Sequence, residues 1–180
     1  MPFADLREYV DKLDKEGELG RVRKEVDPKF ELGALCKTAH DRGRKALYFE
    51  KVGGSSMPVV TELLATFKRI AIALETDEVD LITEVVERTK QSIAPTIVGG
   101  GPCKEIVLKG KDVDLTKLPW ITWNKTEQAP YMTAGLVIVK DPDYGRNIGV
   151  YRMMYAGRNQ TFMRFSPGHH GYEYYKNAEF

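Results

Sequence analysis

The sequence predicts an α+β chain in which a mixed α/β layer is followed by an antiparallel meander of strands. Apolar residues recur at helical spacing near the start, because Leu6, Tyr9, Val10 and Leu13 form one stripe of an amphipathic helix. This helical periodicity disappears from Trp120 onward. Three apolar, strand-like segments then follow one another, separated by short turns rich in Gly, Asp and Asn. Together these observations indicate a helix-containing layer first and an antiparallel sheet second.

The first hundred residues alternate between helical and extended patterns. Gly17 and Gly20 end the first helix, and Asp27-Pro28 begins a second one that runs to His40, with Gly43 beyond its end. The predicted strands are 21–26 and 45–52, and the further predicted helices are 63–74 and 79–90. The glycines at 99–101 lack the features of a phosphate-binding loop and are interpreted as a link between two layers.

The second half contains a strand-like segment at 105–108 and then predicted strands at 134–140, 147–156 and 160–165. The turns at 141–145 and 157–159 have the residue types that reverse a chain, and the Pro/Gly segment 166–171 is a loop before a helix that begins at Tyr172. Three meander strands cannot close a barrel and leave an open edge. We therefore expect the chain to be the front part of something larger, either a fragment or a subunit that a second polypeptide completes.

Composition and charge exclude several classes of protein. The 180 residues carry 27 basic and 26 acidic side chains, a net charge of +1, which argues against a broad nucleic-acid surface. No apolar run approaches the roughly 18 residues of a membrane span, and the first five residues do not resemble a signal peptide. The two cysteines form neither a disulfide framework nor a CxxC motif. A cytoplasmic protein is the expectation.

The isolated candidate residues mostly favour structural roles. Cys36 lies on the apolar stripe of the second helix and is predicted to be a small core residue, whereas Cys103 lies in a loop. His40 ends a helix and is interpreted as structural. His169 and His170 lie in a loop after a strand, where rigid scaffolds present functional groups. A histidine pair by itself does not establish a metal site.

The strand that contains Asn147 and Arg152 is the most informative segment. These residues are five apart, so they face opposite sides of a regular strand. Gly149 between them allows a bulge or a close approach to the backbone. An amide oxygen and an imidazole suit a divalent ion such as Mn²⁺ or Mg²⁺, and an arginine can hold a carboxylate bidentately. The alternative is a strand with one buried arginine and no site.

Several of these segments resemble the UbiD family of reversible decarboxylases. The resemblance is carried most specifically by 133–137, by the Asn147–Met153 strand, and by Met163-Arg164-Phe165 with the histidine loop that follows. Segments 3–7 and 118–122 continue it, so that it covers essentially the whole chain. It implies an N-terminal mixed α/β domain at 1–115, followed at 116–180 by the first strands of an antiparallel split β-barrel of the flavin-binding type, incomplete in this chain.

The resemblance also implies a cofactor site. The family uses prenylated FMN, whose phosphate is held through a divalent metal, Mn²⁺ or Mg²⁺, with K⁺ or another alkali cation nearby. Metal ligation then falls on Asn147 and His170, with His169 as the alternative to His170. Arg152 becomes the catalytic arginine that grips the substrate carboxylate. The implied contacts to the cofactor are Asn147, Ile148, Gly149, Val150, Tyr151, Arg152, Arg164, Phe165, Ser166, His169 and His170.

The implied function is reversible, non-oxidative decarboxylation of aromatic or α,β-unsaturated carboxylic acids, with CO₂ as the second substrate or product. Implied partners are the remainder of the decarboxylase (a C-terminal region or a second subunit), a prenyl-flavin synthase that supplies the cofactor, and further copies in a homo-oligomer. Glu173 and Glu179 do not match the family's third metal ligand or its catalytic acid, so we expect the isolated chain to be inactive. The alternatives are a non-catalytic flavin- or metal-binding subunit of a carboxylase complex and, less favoured, a split-barrel flavin reductase.

Overall fold

The computed structural model describes residues 3–43 and 45–179. The residues outside this description are Met1, Pro2, Arg44 and Phe180. The outer ends of the two predicted domains and the end of the predicted last helix therefore lie outside the described residues. Within this part the chain is α+β, with two three-stranded sheets that do not close into a barrel, as the sequence predicts. The division into domains at 115/116 stays a prediction.

The N-terminal layer is a small sheet with helices packed on it. Its strands are β1 (Leu19–Val22), β2 (Ala46–Phe49) and β3 (Val59–Thr61), with β1 and β2 parallel and β2 and β3 antiparallel. Its helices are α1 (Leu6–Lys15), α2 (Glu31–Arg42), α3 (Phe67–Leu74) and α4 (Leu81–Thr89). Helix α2 forms the crossover that a parallel pair of strands requires.

The core of this layer follows the predicted apolar stripes. Asp5 caps α1 by accepting hydrogen bonds from the N–H groups of Arg7 and Glu8, and the buried face of α1 packs in one cluster with β1 and β2. Leu32 and Cys36 of α2 pack in a second cluster with β2 and with Ile121, which comes from the second half of the chain. Cys36 is therefore a core residue, as predicted, and Ile121 connects the two halves.

Several predicted boundaries are displaced. The first strand ends at Val22, and the chain returns to the sheet only at Val26, which forms a single bridge to Val52. Helix α3 begins at Phe67 because the Thr66 side chain caps it by accepting a hydrogen bond from the Arg69 N–H. The predicted strand 105–108 is wrong: its apolar side chains are exposed, and no strand pairs with it in the described part of the chain. Apolar composition without a pairing partner does not make a strand.

The second half is the predicted meander. Strands β4 (Tyr131–Asp141), β5 (Gly145–Gly157) and β6 (Gln160–Met163) pair antiparallel in that order, with register shifts between Met132 and Gly135 and between Tyr155 and Gly157. Helix α5 (His170–Glu179) then packs on β4 and β5. The described residues contain no helix with the length and apolar character that crossing a membrane requires.

Candidate functional site

Strand β5 presents two different faces. Asn147, Gly149 and Tyr151 are half-buried, whereas the residues that alternate with them, Ile148 and Val150, are exposed. Strict alternation of this kind places Asn147 and Arg152 on opposite sides of the strand, as their spacing predicts. The implied cofactor contacts on β5 are therefore divided between two faces of one strand.

A cavity of about 270 Å³ lies where the start of α5 meets β5. It is lined by the strand residues Asn147–Tyr151 together with His169 and His170. Both histidines are exposed, and His170 is the first residue of α5. The fold thus brings together one amide and two imidazoles that are more than twenty residues apart in the sequence.

The phenol of Tyr151 holds the start of α5 against the strand. Its hydroxyl oxygen accepts a hydrogen bond of 3.1 Å from the backbone N–H of Gly171, and its ring meets the ring of Phe165 edge-on at 5.0 Å. The Tyr151 ring also covers Gly149, where a Cβ atom would lie 2.5 Å from it. The close approach predicted at Gly149 is therefore made by a neighbouring ring, and the bulges of this sheet lie elsewhere.

The other end of α5 is anchored to the β4–β5 turn. Asp141 accepts hydrogen bonds from the backbone N–H groups of Tyr144 and Asp143 and from the Asn177 amide. The hydroxyl of Tyr174 donates to the carbonyl oxygen of Tyr144 at 3.0 Å. The Tyr144 N–H is the largest cause that lowers the pKa of Asp141, with smaller contributions from Asp143 and Asn177. Hydrogen bonds therefore hold both ends of α5 against the sheet, and this fixes the position of His170 at the start of the helix.

Arg152 lies outside this cavity. Its Nη2 donates to Oε1 of Glu127 at 2.8 Å, and its guanidinium carbon stands 4.1 Å from the centre of the Tyr131 ring. The Arg152 side chain is 56% exposed, so the expectation of a buried arginine on this strand is wrong. Among the described residues, a fully buried arginine is found on α3, where Arg69 pairs with Glu18.

The remaining predicted site residues are not part of the cavity lining. Arg164 is exposed, Phe165 and Ser166 are half-buried, and none of the three lines the cavity. The Ser166 carbonyl oxygen accepts a hydrogen bond from the His169 N–H at 3.3 Å, which shapes the histidine loop. Sequence reasoning did not identify Glu127 or Tyr131 as partners of Arg152, because no local pattern links residues more than twenty positions apart.

The donor atoms at the cavity fit a divalent cation in part. An amide oxygen at Asn147 and imidazole nitrogens at His169 and His170 are ligand types that Mn²⁺ accepts. No group of three His, Cys, Asp or Glu side chains suited to a metal occurs within residues 3–43 and 45–179. A cation here would therefore need further oxygen ligands, such as those of a phosphate.

Family models for two adjoining domains match the chain. The N-terminal domain of 3-octaprenyl-4-hydroxybenzoate carboxy-lyase matches residues 10–89, and the Rift-related domain of the same enzyme matches residues 96–179. The fold is therefore one that carboxy-lyases use. The chain belongs to the UbiD family, which confirms the resemblance carried by its strand and loop motifs.

Solved structures of the same class superpose over nearly the whole chain. An evolved dimeric form of the UbiD-class enzyme HmfF from Pelotomaculum thermopropionicum, in complex with prFMN, is 34% identical with a TM-score of 0.89, and the match covers 98% of this chain and 42% of that one. Vanillic acid decarboxylase from Sedimentibacter hydroxybenzoicus in closed form is 29% identical with a TM-score of 0.91, over 98% and 40%. Apo 3,4-dihydroxybenzoic acid decarboxylase from Klebsiella pneumoniae is 25% identical with a TM-score of 0.89, over 98% and 40%. The chain spans about two fifths of the length of these relatives.

Proposed function

We propose that this chain holds the phosphate end of prenylated FMN, and supplies the substrate-binding arginine, in a reversible, non-oxidative decarboxylase of aromatic acids. The observation that carries the proposal is the cavity that joins Asn147 to His169 and His170, with Arg152 five residues further along the same strand. The relatives named above include a prFMN complex and two decarboxylases of aromatic acids, which supports the same cofactor and substrate class.

Each residue of the proposed site has a role that its chemistry allows. The Asn147 amide oxygen and an imidazole nitrogen of His170, or of His169 in its place, would bind Mn²⁺ or Mg²⁺, and the cation would bind the cofactor phosphate. An alkali cation such as K⁺ would complete the charge balance. When bound, the cofactor supplies the electron-accepting chemistry that loss of CO₂ requires. The proposed contacts to the flavin are the strand residues Ile148–Tyr151 together with Arg164, Phe165 and Ser166.

Arg152 would orient the substrate. Its guanidinium is permanently charged and planar, so it can bind a carboxylate through two parallel hydrogen bonds at a defined angle. Orientation matters because the bond to the departing CO₂ must be held in one direction relative to the accepting group. In the reverse direction the same contacts would hold the carboxylate of the product acid.

The proposal extends to the surroundings of the chain. The remainder of the decarboxylase, whether a C-terminal region or a second subunit, would supply the catalytic acid and further pocket walls, in a homo-oligomer served by a prenyl-flavin synthase. Cys36 and Cys103 are both free thiols, which supports a reducing compartment such as the cytoplasm.

Two single-residue variants of the intact enzyme test the assignment. Arg152→Ala should abolish exchange of labelled CO₂ into aromatic acids while bound flavin, read by absorbance, is retained. Asn147→Ala should instead lower the Mn²⁺ and flavin content. The matched controls are Arg146→Ala on β5 and Asn159→Ala in the turn between β5 and β6, both exposed, and they should leave both readouts unchanged. Wild-type exchange in Arg152→Ala, or unchanged metal in Asn147→Ala, would refute the corresponding role.

The same experiment separates the alternative function. If the wild-type protein binds flavin and metal but exchanges no CO₂ with any aromatic acid, a non-catalytic flavin- or metal-binding subunit becomes the better explanation. The mass of the native protein, measured alongside, shows whether the missing acid is on the same polypeptide or on a chain that purifies with it.

A further inference from the structure

The carboxylate of Glu127 holds two hydrogen-bond donors from different parts of the chain. Its Oε1 accepts from Nη2 of Arg152 at 2.8 Å, and its Oε2 accepts from the backbone N–H of Trp123 at 2.7 Å. The Glu127 side chain is only 11% exposed, whereas that of Arg152 is 56% exposed. The carboxylate is thus the ordered member of the pair, and the arginine is the member that remains accessible.

The segment that carries Glu127 is itself fastened to the protein core. Ile121 is buried in the core of the N-terminal layer, and its carbonyl oxygen accepts a hydrogen bond of 2.8 Å from the N–H of Tyr131. This bond closes a loop over 121–131, and Glu127 and Tyr131 both contact Arg152 from it. One loop therefore offers the guanidinium an anionic partner at its edge and an aromatic face, which together restrict its rotation.

We infer that Glu127 is a positioning residue, which fixes the direction in which Arg152 presents its remaining donors to a carboxylate. The inference rests on the proposed function, in which Arg152 binds the substrate. No other hydrogen bond to the Arg152 guanidinium occurs within residues 3–43 and 45–179, so most of its five N–H donors stay accessible. The ion pair with Glu127 leaves room for a second, bidentate carboxylate.

The chemistry of the pair explains why a carboxylate is needed at 127. Both of its partners are donors, and only a carboxylate offers an acceptor to each. A glutamine can accept from Arg152 or from Trp123 but must turn its NH₂ group toward the other. Glu127→Gln therefore preserves size and shape and breaks the link between the loop and the arginine.

Loss of the hydrogen-bonded link between Glu127 and Arg152 should affect kcat and KM differently. Without the negative charge of Glu127 the guanidinium attracts a substrate carboxylate at least as strongly, so KM should stay constant or fall. The orientation of the bound carboxylate is lost, and a misplacement of about 1 Å can cost about 100-fold in rate. We expect kcat to fall by about 10- to 100-fold.

The test uses the intact, cofactor-loaded enzyme with Glu127→Gln, Arg152→Lys and the double variant. Glu87→Gln is the matched control, because Glu87 lies on α4 and forms an exposed ion pair with Lys90 rather than with a residue of the proposed site. Decarboxylation gives kcat and KM, calorimetry with benzoate gives carboxylate affinity without turnover, and flavin absorbance and Mn²⁺ content report loading. If Glu127 acts through Arg152, Glu127→Gln should lower kcat by less than about threefold in the Arg152→Lys background.

The expected result is a lower kcat in Glu127→Gln, with benzoate affinity and cofactor loading retained. Two results would overturn the inference without affecting the proposed function. One is a kcat of Glu127→Gln equal to that of Glu87→Gln. The other is a loss of kcat from Glu127→Gln that is equally large in the Arg152→Lys background. A wild-type enzyme without CO₂ exchange overturns both. If Glu127→Gln does not fold, Glu127→Asp, which is too short to reach both donors, is subject to the same criteria.

Discussion

Replacing Gly171 by alanine should detach the start of α5 from the strand beneath it. A Cβ atom at this position would overlap the hydroxyl oxygen of Tyr151 and would lie 2.6 Å from its Cζ and 2.9 Å from Cδ1 of Phe165. The same hydroxyl accepts the Gly171 N–H hydrogen bond, so the contact cannot be relieved without losing that bond. Because the residue before Gly171 is His170, the change should also displace a proposed metal ligand.

The magnitude follows from three contributions. Overpacking of this kind costs about 1–3 kcal/mol, and the lost hydrogen bond costs about 1 kcal/mol. Alanine gains about 1 kcal/mol over glycine in a helix, which offsets part of this cost. The net effect on the packing of α5 is about 2 kcal/mol, which corresponds to about a thirtyfold increase in the open population of this helix.

Hydrogen exchange of the segment 170–179 is the assay, because α5 can open without global unfolding. Gly43→Ala is the control: its Cβ position has no heavy atom within 4 Å, and its φ of −144° suits alanine. Gly171→Ala should lose about thirtyfold in protection over α5 and should bind Mn²⁺ more weakly, whereas Gly43→Ala should not. Adding Tyr151→Phe, which removes the nearest overlapping atom, should restore part of the protection. Equal protection in the two alanine variants would refute the packing argument.

Three further predictions concern stability. Arg69→Leu removes a fully buried guanidinium from its ion pair with the partly exposed Glu18 and should lower the free energy of unfolding in urea by about 2–3 kcal/mol. The exposed Arg88→Leu should cost under about 1 kcal/mol, and similar costs would contradict the burial of Arg69. Burial raises the pKa of Tyr9 to about 12, so its contribution to stability is present below the unfolded value near 10 and is lost as the pH rises through 12. The tyrosinate absorbance of wild type and of Tyr9→Phe should differ only near pH 12. A difference near pH 10 would contradict the raised pKa of Tyr9. The pKa of Asp141 is lowered mainly by the Tyr144 and Asp143 N–H groups and least by Asn177, so the charged carboxylate stabilises chiefly the β4–β5 turn above pH about 4, and this stabilisation is lost as the pH falls through the folded pKa. Asp141→Asn should flatten the acid dependence of hydrogen exchange at Asp143 and Tyr144, with a smaller effect in α5 through Asn177, and an unchanged acid profile in the turn would exclude the role.

Local features of the sequence were sufficient for most of the fold. The apolar stripe through Leu13 predicted α1, and the turn residues at 141–145 and 157–159 predicted where the meander reverses. These signals are reliable because helix periodicity and turn chemistry depend on residues within a few positions of each other. The strand predicted at 105–108 from its composition is wrong, because no strand in the described part of the chain pairs with it.

The candidate site could be predicted in part. The spacing of Asn147 and Arg152 placed them on opposite faces of one strand, which the alternation of burial along β5 bears out. The motifs from 133 to 170 led to the UbiD family, which the family models confirm. The roles of the individual site residues stay predictions, because they concern a cofactor and a substrate.

The sequence by itself determined the order of the helices, the reversals of the meander and the family, but it missed β3 and predicted a strand at 105–108 that the structure lacks. The tertiary structure decided which distant residues meet: Glu127 with Arg152, Gly171 with Tyr151, and the buried Arg69 with the partly exposed Glu18. These contacts depend on how helices and strands pack across the chain. Side-chain partners brought together over twenty or more residues leave no periodic or local signature, and only the folded chain specifies them.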